Sequence, residues 1–494
     1  MSGITGVIIN KNLESSVTST LVTSLSMLQH RGQNGCGVAV SDNDRITYQK
    51  QKGLISNVFS SDVVSKINGY YGIGQCHNND FYNKLGSEPQ PAYCNMPFGL
   101  SAVMSGAINN REQLRKDLAK CLRCINSFDD ADYLVNVFAE GLLESIKDNG
   151  VPIVTKDHVF AAVNKIYKEC KGGYAAVILI NGVGLVAFKD PHGIRPLVYG
   201  ELRSESGSLD GICISTESIS ITSIDYSIIR DLNCAETLFV DKDMNVYIDE
   251  SRTYAKEFTP CIYEYVFYAL PNSVINGISV YQARENMGKM LAEQIKNTYI
   301  DYEGEQKRLS DVITHIMPIP ETSRHTACAI SHLLNIPYCE GISKNRYIAR
   351  TFRMPGQTDR IEAMKIKHSA IPVALKDQNI LLVDDSMIRG TTASIVIDTI
   401  REAGVKHIYY ASACPPIKYN TKYGLNLPQS DEFICNNKSL EEVKQTVGAD
   451  IVIFQTLEGL IQACETCPNS CPFKIHRFET SVFDGKFITD EDKN

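Results

Sequence analysis

The chain has 494 residues, with 49 Lys and Arg against 57 Asp and Glu, a formal charge of −8. Apolar residues make up 43% and charged residues 21%, an ordinary balance for a globular protein with room for about three domains or two large ones. The acidic excess argues against a nucleic-acid binder driven by bulk charge, and still allows a local basic pocket for a phosphorylated small molecule.

The opening MSGITGVIINKNLESS lacks the basic and long apolar regions of a secretory leader. The longest apolar stretch, Tyr174 to Lys189, is broken by Asn181 and Gly182, so no membrane partner is expected. The expectation is a cytoplasmic protein whose 16 cysteines are free thiols or metal ligands rather than a disulfide framework. Over residues 1–250, short strand-like runs recur (ITGVII, CGVAV, YAAVILI, GLVAF, TLFV). Turns such as INGVG separate them, and helical stretches such as Asp130 to Ser145 interrupt them. This pattern predicts a layered α+β domain with antiparallel strands.

After a junction at Tyr254 to Pro260 the texture changes. HIMPIP reads as a strand, HTACAISHLLN as a helix, IPYCEG and NILLVDD as strands, ASIVIDTIREAG as a helix and HIYYASA as a strand. Repeated strand–loop–helix–strand units predict an α/β domain with a parallel sheet over 251–463. A cysteine-containing tail, 464–494, completes the division.

The strongest local signal is LLVDDSMIRGTTASI, residues 381–395. An apolar strand ends in Asp384 and Asp385, and Gly390, Thr391 and Thr392 then open a helix. Backbone N–H groups at a helix start bind phosphate, and glycine lets the backbone approach closely. The two carboxylates stand where they can accept hydrogen bonds from ribose hydroxyls. The spacing is not that of a Walker A loop.

This segment resembles the phosphoribosyl pyrophosphate (PRPP) loop of type I phosphoribosyltransferases. Nearly end to end, the chain resembles the amidophosphoribosyltransferase (glutamine PRPP amidotransferase) family of purine synthesis. The motifs that carry the likeness are LQHRGQ (28–33), SEPQP (87–91), GGYA (172–175), DPHGIRPL (190–197), STES (215–218), EYVFYALPNS (264–273), GISVY (277–281), PIPETS (318–323) and KNRYIARTF (344–352).

The resemblance implies a four-layer αββα N-terminal-nucleophile domain followed by an α/β type I phosphoribosyltransferase domain. It implies that Asp384 and Asp385 hold the ribose, with Mg²⁺ bound jointly with substrate. Ser386 and Arg389 to Thr392 would bind the 5′-phosphate, and Glu321, Thr322 and Ser323 the pyrophosphate. Tyr347, Arg350 and Lys367 would belong to a loop that closes over substrate and excludes water. Ammonia would displace pyrophosphate from C1 of the ribose. Implied partners are PRPP and purine nucleotides, and a homo-oligomer or an assembly with an intact paralogue. The likeness is imperfect here: where the family reads VRRKLN, Lys365 and Ile366 replace two arginines, and ALPNS (269–273) lacks the Arg and Asp of the family's ARPDS. Neutral drift and weakened coupling between the halves both account for this.

In the first half the departures concern the chemistry of glutamine hydrolysis. The family's nucleophile is a Cys directly after the initiator Met, with its α-amino group as base; here the residue is Ser2. His77 stands where an Arg would clamp the substrate carboxylate, and imidazole cannot supply that two-pronged bond. Of the oxyanion motif HNGN, only Gly106 is kept, with Ser105 in place of its Asn. Asp130 matches the Asp of the family's D-S-E and is grouped with the degenerate glutamine site, Asp132 replaces the Glu, and GQD reads Gly32-Gln33-Asn34. Nucleophile, clamp and oxyanion donor are altered together, so glutamine hydrolysis is expected to be absent or severely reduced.

Cys464, Cys467 and Cys471, with His476 beyond, have a spacing that suits tetrahedral zinc, with surface thiols as the alternative. Cys261 matches one ligand position of the iron–sulfur cluster found in some relatives. Thr421 and the cysteine-free stretch near Val482 to Gly485 occupy other ligand positions, which argues against that cluster. Three functions remain: an ammonia-dependent enzyme forming phosphoribosylamine, a non-catalytic PRPP- or nucleotide-binding regulator or subunit, and a hydrolase using Ser2.

Overall fold

The structure is a computed structural model that describes residues 2–13, 16–78, 89–125, 127–147, 153–253, 256–344, 368–467 and 473–491. Among the described residues, the first half is built on two antiparallel sheets. The seven-stranded sheet runs, edge to edge, Ser227–Asp231, Val198–Arg203, Leu209–Ser215, Ser2–Ile9, Tyr71–His77, Gly35–Ser41 and Ile46–Lys52. The six-stranded sheet runs Val246–Asp249, Thr237–Asp241, Gly184–Lys189, Gly172–Ile180, Leu100–Ile108 and Ala92–Cys94.

The strand Ser2–Ile9 is apolar on both faces, as a strand sandwiched between layers must be. Side chains alternate across a strand. Ile4 and Ile8 therefore enter the core between the sheets with Val177 and Leu185, and Val7 and Ile9 enter the outer core with Val17, Leu21 and Leu25 of helix Val17–Ser26. A Cβ on Gly6 would come within 2.8 Å of Val177, so glycine lets the sheets meet there. Helices Asp130–Lys147 and Lys156–Glu169 cover the other sheet through Leu134, Phe138, Val159 and Val163. The result is a four-layer αββα sandwich.

The second half carries a parallel sheet in the order His315–Pro318, Asn379–Asp384, His407–Ser412 and Ile451–Phe454. Ile380, Leu382, Ile408 and Tyr410 pack one face against helix Thr391–Glu402. Leu381, Val383, Tyr409 and Ala411 pack the other against helices Val280–Lys296, Arg324–Leu334 and Leu457–Glu465.

Two segments depart from the expectations. IPYCEG forms only an isolated bridge, Ile316 to Tyr338, because Pro337 has no N–H to extend the ladder. Cys464, expected to open a tail, lies inside helix Leu457–Glu465, and Cys467 follows one turn later. Both are buried with Leu460 and Ala463 rather than exposed. Beyond them Glu479 bridges Cys261. No described helix is long and apolar enough to cross a membrane.

Candidate functional site

In an open parallel sheet, ligands bind beyond the carboxyl ends of the strands. Strand Asn379–Asp384, in the middle of the sheet, delivers Asp384 and Asp385 to that edge. Asp384 accepts from Tyr410 Oη at 2.9 Å and from the Asp385 backbone N–H at 2.9 Å. Asp385 accepts from Ser386 Oγ at 2.6 Å and from the Thr322 hydroxyl. Burial pushes both carboxyls above the usual range, and the neighbouring Asp385 charge adds to the rise at Asp384.

Gly390 caps helix Thr391–Glu402 at φ +76°, a left-handed conformation, and a Cβ there would strike Ile434. Thr391 and Thr392 are exposed on the first turn, where N–H groups have no intrahelical acceptor. Thr322 joins this group through Asp385, whereas Ser323 is buried and donates to the Ile319 carbonyl. Glu321 pairs with Arg324 at 2.9 Å, and Arg389 with Glu432 at 2.7 Å. Tyr347, Arg350 and Lys367 lie outside the described residues.

Three further groups at this site went unnoticed in the sequence. Tyr410 holds Asp384, and Tyr263 donates to Ser386 Oγ at 3.1 Å. Arg284 is buried in helix Val280–Lys296, donates to the carbonyls of Tyr265 and Ala269, and acts electrostatically on Asp385. One signal for Arg284 was present: a lone cation in the apolar stripe of Val280, Ala283, Met287 and Leu291.

In the first half, Ser2 lies opposite His77 in adjacent strands, and Gly35 flanks His77 on the other side. Ser105 Oγ donates to the Ser2 carbonyl at 2.9 Å and lies 3.4 Å from its backbone nitrogen. Gly106 adopts φ +120° against the Gly173 carbonyl. Ser2, His77, Ser105 and Gly106 thus converge. Asp130 opens helix Asp130–Lys147, accepts from the Ile108 N–H at 3.1 Å and pairs with Arg111 Nε at 2.7 Å. Burial pushes its carboxyl up to about 7, against the pull of Arg111.

Four motifs scattered along the chain meet between the halves. Arg31, fully buried, bonds Glu217 and reaches Glu264 at 2.8 Å. His30 lies 2.6 Å from Glu217, and Arg195 lies 3.4 Å from Glu264 while donating to the Tyr423 carbonyl at 2.9 Å. Glu217 also accepts from the Leu270 N–H at 2.9 Å and Ser273 Oγ at 2.6 Å. Burial alone would push Glu217 up, but Arg31 and His30 hold it well below the usual carboxylate range. ALPNS is therefore anchored to the first half despite its changed residues.

Burial pushes the Cys464 and Cys467 thiols up. Cys467 receives Asn286 Nδ2 at 3.6 Å. Cys471 lies outside the described residues, and among those described no three His, Cys, Asp or Glu side chains gather to hold a metal.

An αββα sandwich with residue 2 at the head of a central strand, joined to a parallel sheet bearing an Asp-Asp-Ser loop and a Gly-Thr-Thr helix start, defines an N-terminal-nucleophile amidotransferase-type domain fused to a type I phosphoribosyltransferase-type domain. No protein-family model matches the chain. The amidophosphoribosyltransferase of Pseudomonas aeruginosa is 36% identical over 490 residues, covering 99% of this chain and 93% of that protein. The Saccharomyces cerevisiae enzyme of the same name is 35% identical over 493 residues, covering 99% and 92%. The solved structure of glutamine PRPP amidotransferase from B. subtilis, complexed with ADP and GMP, superposes with a TM-score of 0.80 at 26% identity, covering 98% of this chain and 97% of that one. The chain belongs to the amidophosphoribosyltransferase family.

Proposed function

We propose that the chain is an amidophosphoribosyltransferase of purine synthesis that forms 5-phosphoribosylamine from PRPP and ammonia rather than glutamine. The observation that carries this reading is the contrast between the two sites. In the second half, Asp384 and Asp385 stand at the strand end beside an open helix start. In the first, Ser105 is bonded to the Ser2 backbone carbonyl, imidazole replaces a guanidinium at 77, and Arg111 forms an ion pair with Asp130.

Asp384 and Asp385 accept from the ribose hydroxyls, the first turn at Thr391 and Thr392 takes the 5′-phosphate, and Glu321 and Thr322 face the pyrophosphate. The two carboxylates fit Mg²⁺: each is buried beside a like charge, which a cation offsets, and each oxygen keeps acceptor capacity beyond its one described bond. Asp384 and Asp385 would hold the ion together with substrate oxygens, and when bound it supplies charge neutralisation for departing pyrophosphate.

A second reading is a regulatory or partner subunit that binds PRPP or a purine nucleotide without turnover. The altered first-half site, Lys365 and Ile366 in place of two arginines, and the changed ALPNS segment favour it. One assay separates them: PRPP- and Mg²⁺-dependent product, measured with ammonium and separately with glutamine. Product with ammonium alone supports the enzyme, tight PRPP binding without product supports the subunit, and glutamine-driven product overturns the reading of the first half.

A further inference from the structure

Tyr263 and Glu264 are consecutive, both buried, and serve opposite halves of the molecule. Glu264 takes Arg31 at 2.8 Å and Arg195 at 3.4 Å from the first half. Tyr263 donates to Ser386 Oγ at 3.1 Å, and Ser386 donates to Asp385 Oδ1 at 2.6 Å. The direction of this relay follows from the groups themselves. An ionised carboxylate only accepts, so the single Ser386 hydrogen goes to Asp385, and a serine lone pair is left for the Tyr263 hydroxyl. The Tyr263 ring is confined by Tyr268 at 5.7 Å and Phe483 at 6.3 Å, so its hydroxyl has little freedom to leave. The backbone between the two residues carries the ion pairs of one half into the hydrogen bonds of the other.

We propose that Tyr263 is a positioning residue for PRPP. Its hydroxyl holds Ser386 in the orientation that serves Asp385, and the ion pairs of Glu264 with Arg31 and Arg195 hold Tyr263 in place. The first half then braces the PRPP loop whether or not it hydrolyses glutamine. This inference rests on the PRPP reading above.

The test uses the full-length chain as wild type, Tyr263→Phe, Ser386→Ala and the double variant. PRPP with Mg²⁺ is titrated calorimetrically, and KM and kcat are measured with ammonium. Loss of one neutral hydrogen bond is expected to weaken PRPP binding about three- to tenfold in Tyr263→Phe, with KM moving more than kcat. The double variant should bind no more weakly than Ser386→Ala, because the tyrosine acts through the serine. Equal PRPP affinity in wild type and Tyr263→Phe, or losses that simply add in the double variant, overturns the proposal alone. A wild-type chain that binds no PRPP overturns the functional reading on which it stands, and the proposal with it.

Discussion

Arg111 Nε lies 2.7 Å from Asp130 Oδ1, so a carboxylate at the start of helix Asp130–Lys147 is already paired within the chain. The pairing is incomplete compensation for burial, since the Asp130 carboxyl still rises to about 7. An acid whose folded pKa exceeds its unfolded value contributes stability below the unfolded pKa and loses it as pH rises through the folded one. Its contribution therefore falls between about pH 4 and pH 7. Asp130→Asn should remove that loss, raising the thermal midpoint by roughly 2–4 °C at pH 8 with little change at pH 4. Scans at fixed rate across that range check it, and an Asn variant less stable at pH 8 would contradict the assignment.

Restoring the thiol alone should not restore glutamine chemistry. Ser2→Cys leaves His77 and Ser105 in place, and a missing oxyanion donor typically costs about 10²–10³ in rate. Ammonia release from glutamine should stay near background in Ser2→Cys. It should rise measurably only when His77→Arg and Ser105→Asn are added. Robust hydrolysis by the single variant would show that the pocket is intact.

At the PRPP loop, function and stability should move in opposite directions. Asp384→Asn removes one of two buried neighbouring carboxyls while keeping a group that can still accept from Tyr410. PRPP affinity should fall about 10- to 100-fold through loss of a charged acceptor. Resistance to denaturant at pH 8 should rise. Unchanged PRPP affinity would remove Asp384 from the site.

The ion cluster between the halves should matter far more than surface pairs. Glu217→Ala leaves Arg31 buried without its nearer carboxylate, which costs about 3–5 kcal/mol. Lys11→Ala breaks only the half-exposed pair with Asp243, worth about 0–1 kcal/mol. Denaturant unfolding of both variants compares them, and equal losses would contradict the buried network.

Much of the fold was legible along the chain. The apolar runs at 4–9 and 174–180 became central strands, and NILLVDD became the strand that presents the Asp pair. Apolar content alone does not reveal that proline interrupts the ladder at IPYCEG. Spacing says nothing about burial, and Cys464 and Cys467 pack into the core instead of opening a tail.

The sequence by itself determined which chemical groups each position can offer: a hydroxyl at 2, an imidazole at 77, paired carboxylates at 384 and 385, and a glycine-started helix at 390. Those properties are covalent and local. Only the tertiary structure decided that Ser105 bonds Ser2, that Arg111 pairs with Asp130, and that residues 31, 195, 217 and 264 share one buried cluster. Hydrogen bonding and charge stabilisation act over a few ångströms of space, and groups separated by tens to hundreds of residues become neighbours only when the sheets and helices pack.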